Sequence, residues 1–439
     1  MDVNLEETTH FAHFVLLIFL VGYSAIVIEE LIKLNKAAIA LLMAVGCWTI
    51  LFLEPADSVT RHLYILTFQM FKVSQVVFFL IGALTIVEII NAHKGFQVII
   101  KRLIMRSKRK LLWTTGLMTF FLSSVLDNLT TTIVMVSLIN KLLNDREERL
   151  MLGGAIVIAA NAGGTWTPIG DVSTTLLWIY GQVTSFAILY NLFFPSIIGV
   201  AASLLWIGYK FKGEINNDDE EIRSIRSIKI EPGGTLVLII GICSLIFVPF
   251  FKLLTNLPPF MGMMFGLGVM WVVTDVLHYK FKERHHLQVV SILPKVDISV
   301  ILFYLGILLS INSLESAGLL KKLSEWFNLH ISSPNFIPVL IGLASSVLDN
   351  VSLVAATIGM YGLEPFHTDS FFWLAVAYCA GTGGSILIIG SAAGVALMAI
   401  EKATFMWYAK KMTFPALITF FVGLVSYFLL NQLTASLLV

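Results

Sequence analysis

The chain has 439 residues, of which 57% are hydrophobic and 13% charged, with a formal net charge of +1. Its mean hydropathy is +0.87. Soluble domains carry roughly a quarter charged residues, so this composition excludes a soluble fold and points to a chain that crosses a membrane many times. Residues 11–32 and 37–53 read as two spans, the second closed by Glu54-Pro55. A partly polar loop is predicted up to Lys72, followed by a span at 73–91 with Glu88 near its end. Residues 1–72 are thus N-terminal spans ahead of a first repeat at 73–209. The connection 92–110 carries Lys94, Lys101, Arg102, Arg106, Lys108, Arg109 and Lys110 without an acid, which makes it cytoplasmic by the positive-inside rule. Flanked by membrane segments, this cluster is not read as a nucleic-acid site. Residues 111–140 read as a re-entrant hairpin, 150–180 as a broken helix and 185–209 as a span. A cytoplasmic linker at 210–232, with five basic and six acidic side chains, joins the halves. The second repeat with its accessory spans, 235–436, holds spans at 235–254, 260–278 and 297–319. A second hairpin at 334–360, a second broken helix at 370–400 and a last span at 412–436 follow.

Parity decides the topology. With 111–140 as a hairpin, the basic loops at 210–232 and 280–295 fall on the same side as 92–110, and the N-terminus lies outside. The spans 73–91 and 297–319 then run in opposite directions. The predicted fold is an all-α polytopic membrane protein of two inverted-topology repeats. Each repeat carries a re-entrant helical hairpin and a discontinuous transmembrane helix, giving about eleven crossings plus two hairpins in total.

The repeat rests on one motif. Ser123-Ser124-Val125-Leu126-Asp127-Asn128 returns as Ser345-Ser346-Val347-Leu348-Asp349-Asn350, 222 positions later. A second polar break follows each copy, at 161–171 and at 381–391, with glycine pairs 220 positions apart. Unpaired backbone cannot face lipid, so such breaks must line a protein-walled cavity. Asp127 and Asp349 occupy matched positions, and Asp171 closes the first break where the second half has Ser391. A buried aspartate without a basic partner is costly while ionised and calls for a proton or a metal cation. No lysine or arginine lies in the four motif segments near the breaks, which disfavours an anionic cargo. Asp127, Asp171 and Asp349 are therefore the expected Na⁺ ligands. Asn128, Thr130, Asn161, Thr165, Thr167, Asn350 and Ser385 supply further hard oxygens, and Glu88 is a candidate for the proton path. Gly163, Gly164, Pro168, Gly383 and Gly384 are expected to support the helix breaks by close approach and unusual dihedrals. Cys47, Cys243 and Cys379 lack metal-ligand spacing, no histidine sits mid-segment, and no P-loop is present. The expectation is a secondary transporter, not an enzyme, without a resident cofactor.

Ser123–Asn128 with Leu129-Thr130-Thr131-Thr132, the run Asn161–Asp171 and Ser345–Asn350 together resemble NhaD-type sodium/proton antiporters. That family sits in a larger ion-transporter superfamily with arsenite pumps and sodium-coupled dicarboxylate carriers. The resemblance implies export of Na⁺ or Li⁺ against inward protons by alternating access. It also implies a multi-pass protein of a bacterial or organellar inner membrane, surrounded by lipid, from a superfamily whose members often form homodimers. A sodium-coupled carboxylate or other anion symporter of the same superfamily is the alternative.

Overall fold

The computed structural model describes residues 11–54, 59–100, 107–214, 230–331 and 333–437. Lys101, Arg102, Arg106, the acidic N-terminal residues and residues 215–229, on which the orientation argument leans, lie outside them. Lipid cannot satisfy a free amide, and the regular structure among the described residues is accordingly helical, apart from one bridge between Ser107 and Glu214. Six described helices are long and apolar enough to cross: Val59–Ala92, Ser185–Lys210, Gly234–Thr255, Pro259–His278, Ile298–Ser316 and Thr413–Leu433. The chain is an all-α, multi-pass membrane protein.

Helices α1 (Ala12–Val27) and α2 (Lys36–Phe52) pair with each other. Helix α3 (Val59–Ala92) runs 34 residues, about 51 Å at 1.5 Å per residue. The predicted loop before Lys72 is instead its first fourteen residues. That stretch has no glycine or proline, and its polar side chains are absorbed locally. Thr67 donates to the Leu63 carbonyl, and the Lys72 ammonium lies over the rings of Phe68 and Tyr180.

The first helical hairpin is α4 (Lys108–Ser123) and α5 (Asn128–Leu142), followed by α6 (Arg146–Thr165), α7 (Val172–Ile179) and α8 (Ser185–Lys210). After α9 (Gly234–Thr255), α10 (Pro259–His278) and α11 (Ile298–Ser316), an amphipathic helix α12 (Leu319–His330) leads to a second hairpin. That hairpin is α13 (Ile337–Ala344) and α14 (Asn350–Tyr361). Helices α15 (Phe371–Gly383), α16 (Ala392–Glu401), α17 (Phe405–Lys411) and α18 (Thr413–Leu437) complete the chain.

The packing is crossed between the halves. Helix α2 packs on α11 and α10 on α3; α5 packs on α16 and α14 on α7; α8 lies along α18. Matched side chains make matched contacts. Ser123 Oγ donates to the Ala160 carbonyl at 2.6 Å, and Ser345 Oγ to the Ala380 carbonyl at 2.7 Å. A Cβ at Gly163 would overlap the Phe120 carbonyl, and one at Gly383 the Gly342 carbonyl. These glycines let each hairpin lie directly on the helix beside it.

The glycine pairs differ in one respect from expectation. Helix α6 runs unbroken through Gly163 and Gly164 to Thr165, and unwinding follows at 166–171. Helix α15 ends at Gly383, with Gly384 as its cap in right-handed helical geometry. None of the four has a positive φ. They act through their missing side chain, because the helical hydrogen bonds are still satisfied at that point, and unusual dihedrals play no part.

One buried contact ties α3 to α10 beyond the cavity. His93 Nδ1 lies 2.8 Å from the Ile89 carbonyl, and its Nε2 lies 2.9 Å from His278 Nε2. A carbonyl only accepts, so neutral His93 carries its proton on Nδ1 and accepts from His278 Nε2–H. Burial pushes the His93 imidazole below its usual value; the Ile89 hydrogen bond and Glu231 oppose this, and His286 adds to it. A lowered folded-state value means that stability is fully present above the unfolded imidazole value. It is lost as pH falls from there toward the folded value. The melting temperature in detergent is therefore expected to drop below about pH 6.5, and His93→Gln is expected to flatten that dependence. An identical acid limb in the variant would contradict it.

Candidate functional site

Three aspartates each begin a helix at a chain break. Asp127 caps α5, and its carboxylate accepts from Thr130 N at 2.7 Å and Thr130 Oγ1 at 2.9 Å. Its φ is +125°, a region non-glycine residues rarely occupy. Asp349 caps α14 with an ordinary φ of −59° and accepts from Ser352 N at 3.1 Å and Ser352 Oγ at 3.2 Å. Asp171 caps α7 through Ser173 N at 3.2 Å and is 2% exposed. Capping and ligation do not compete here, since each carboxylate has more lone pairs than the cap uses.

The halves meet at these groups. Asn350 Nδ2, from the second hairpin, donates to Asp171 Oδ2 at 2.9 Å. Asn128 Nδ2 donates to Asn161 Oδ1 at 3.2 Å, and Asn161 Nδ2 donates to Ser391 Oγ at 3.0 Å. Asp171 lies within electrostatic reach of both Asp127 and Asp349, and Tyr304 within reach of all three. A cavity of about 410 Å³ opens beside them, lined by Asp127, Asn128 and Tyr304, and by Lys36, Asp297 and Ser299 where α2 and α11 begin.

The remaining expected residues divide. Thr130 joins Asp127. Thr165 bonds to the Ala162 carbonyl and Ser196, Thr167 to the Ser124 carbonyl and Gly170 N, and Ser385 to the Thr382 carbonyl. These three hydroxyls clip backbone together. The Pro168 carbonyl accepts from Thr175 Oγ1 at 2.9 Å, which holds the unwound stretch against α7. Glu88 is not a cavity wall; it stands near Asn91 and Lys295.

Four residues escape the sequence reading. The Lys36 ammonium lies 5.0 Å over the Phe303 ring, lines the cavity and acts electrostatically on Asp349. Tyr23 reaches Ser352 and Asp349, Ser173 adjoins Asp171, and Tyr304 faces all three acids. Lys36 and Tyr23 come from helices outside the repeated motifs, so motif spacing carries no signal for them. The carboxylates thus do have a basic neighbour, delivered by α2.

Among the described residues no group of three or more His, Cys, Asp or Glu side chains is arranged to chelate a metal ion. The aspartates stand apart with amides and hydroxyls between them, a donor set for a weakly held, exchangeable cation.

Comparison with known proteins gives the family and the fold. The family model described as citrate transporter (CitMHS) matches residues 23–367. Sodium/proton antiporters 1 and 2 of Arabidopsis thaliana are each 47% identical; the matches cover 95% and 94% of this chain, and 72% and 98% of those proteins. The Na⁺/H⁺ antiporter NhaD of Vibrio cholerae serotype O1 is 28% identical over 95% of this chain and 91% of its own length. The YdaH transporter of Alcanivorax borkumensis shares the fold, with a TM-score of 0.55 at 13% identity over 87% of this chain and 90% of that one. The chain belongs to the NhaD-related Na⁺/H⁺ antiporter family, within the group matched by the CitMHS transporter model.

Proposed function

We propose that this chain exchanges Na⁺ or Li⁺ for H⁺ by alternating access around Asp127, Asp171 and Asp349. The observation that carries the reading is the Asn350–Asp171 hydrogen bond, which joins the second hairpin to the acid of the first break. A carboxylate cluster shared between halves is either cation-loaded or protonated, and moving one half against the other exposes it to each side in turn. Asp127 and Asp171 hold the cation, with oxygens from Asn128, Asn161, Thr130 and Asn350. Asp349 is the weaker acid ligand, since Lys36 offsets part of its charge.

The matched clips at Ser123 and Ser345 support two inverted repeats, each with a re-entrant hairpin and a discontinuous helix. The pairing of α1 with α2 and of α9 with α10 supports placing residues 1–72 within the first repeat. The helices that traverse the protein among the described residues then number ten (α1, α2, α3, α6–α7, α8, α9, α10, α11, α15–α16 and α18), the same ten segments that the apolar runs delineate. The ends carrying Lys94, Lys108, Lys210 and Lys295 face the cytoplasm, the N-terminus lies outside, and the membrane is a bacterial inner membrane or an organellar one of the same polarity. The exposed apolar flanks leave room for a homodimer.

The test uses everted vesicles with a preset pH gradient. Adding Na⁺ or Li⁺ alone is expected to dissipate the gradient, with saturation. A requirement for an added carboxylate would instead establish the sodium-coupled anion symporter.

A further inference from the structure

The mechanism above leaves unused a polar layer at the end of the protein opposite the basic loops. Glu315 sits in the last turn of α11 and accepts from Gln69 Nε2, on α3, at 3.2 Å. Gln69 is 5% exposed, and its Oε1 is buried with no hydrogen-bond partner. Asn312, one turn before Glu315, is 6% exposed and reaches the hydroxyl of Tyr180, which closes α7. Glu315 is eleven positions past Tyr304 on one helix, about 16 Å, and Tyr180 nine positions past Asp171, about 13 Å. The layer therefore lies some half a membrane thickness from the aspartates, between them and the outer surface.

We propose that Glu315 is a proton-binding site on the outer access path, formed as a carboxyl–amide pair with Gln69. The proposal rests on the antiporter reading and extends it. Ionised, Glu315 offers only acceptors: it takes the Gln69 amide hydrogen and leaves Gln69 Oε1 unsatisfied in a buried place, at a cost. Protonated, it brings the one donor that this oxygen lacks. The pair is thus completed by a proton from the outside. Aligning Gly82 with Gly306 sets Asn312 opposite Glu88, so each of the matched helices α3 and α11 carries one carboxylate near its C-terminal end, the one on α11 displaced by a turn. The other charged or ionisable groups acting on Glu315 are Lys72 of α3 and Tyr180. Lys252 of α9 donates to the Trp178 carbonyl at 3.1 Å and caps α7 nearby.

The experiment compares the two faces. Right-side-out vesicles are loaded with labelled Na⁺, and efflux is followed while the bath pH, at the outer face, is varied at fixed internal pH. Everted vesicles give the half-saturating Na⁺ at the cytoplasmic face. Glu315→Gln is expected to slow outer-proton-driven efflux about tenfold and flatten its bath-pH dependence, while shifting cytoplasmic Na⁺ half-saturation less than about twofold. Gln69→Leu keeps the carboxylate and is expected to move the bath-pH midpoint by at least about half a unit. Bath-pH profiles unchanged in both variants, or equal losses at both faces, would overturn the proposal. No Na⁺-dependent proton flux in the wild type would instead overturn the antiporter reading itself.

Discussion

Asp171→Asn is expected to reduce Na⁺-dependent proton release in everted vesicles to background, a loss of about a hundredfold or more. The substitution is nearly isosteric. Its one amide oxygen keeps the cap from Ser173 N on α7, and the bridge between the halves persists with the Asn350 amide turned to present its own oxygen to the new NH2 group. What disappears is the charge, and with it the ability to hold either a proton or a cation. Asp171 also lacks a twin: Ser391 occupies the equivalent place, and its hydroxyl serves Asn161 and Gly394 N. Asp127→Asn is expected to be similarly inactive, and Asp349→Asn less severe, because Lys36 already offsets the Asp349 charge. Wild-type exchange in both Asp171→Asn and Asp127→Asn, with normal protein levels, would remove these residues from the site.

Gly163→Ala and Gly383→Ala are expected to cost folded protein before they affect transport. Either methyl would overlap a backbone carbonyl, of Phe120 or of Gly342, which cannot rotate away as a side chain can. Forcing a hairpin off its neighbouring helix costs about 1–3 kcal/mol or more and also pulls the aspartate at its tip out of place. Gly268→Ala is the control. A Cβ there meets nothing within 4 Å, and alanine in a helix interior is favoured over glycine by about 1 kcal/mol. The readout is the monodisperse fraction after extraction and its melting temperature. Equal behaviour of the three variants would contradict the close-approach role of Gly163 and Gly383.

The periodicity of apolar runs and the two Ser-Ser-Val-Leu-Asp-Asn copies locate both hairpins to within a few residues, because an aspartate amid apolar chain has few places to go. The same signal finds Asp127, Asp171 and Asn350. It misplaces the first fourteen residues of α3, where Thr67 and Lys72 look like loop residues until Leu63 and the rings of Phe68 and Tyr180 absorb them. It does not show that the hydroxyls of Thr165, Thr167 and Ser385 donate to backbone carbonyls. It misses Lys36 and Tyr23 altogether. Their significance depends on α1 and α2 crossing to the other half, a tertiary fact that local pattern does not encode.

Two copies of one hexapeptide sit in this molecule with different backbones. Asp127 has φ +125° and ψ 161°, while Asp349 has φ −59° and ψ 131°. Since the letters are the same, the choice between these shapes belongs to the neighbours and not to the hexapeptide. The hexapeptide itself is thus compatible with both shapes. When the chamber opens to the opposite side, the tips are expected to trade shapes, the positive-φ conformation passing from Asp127 to Asp349.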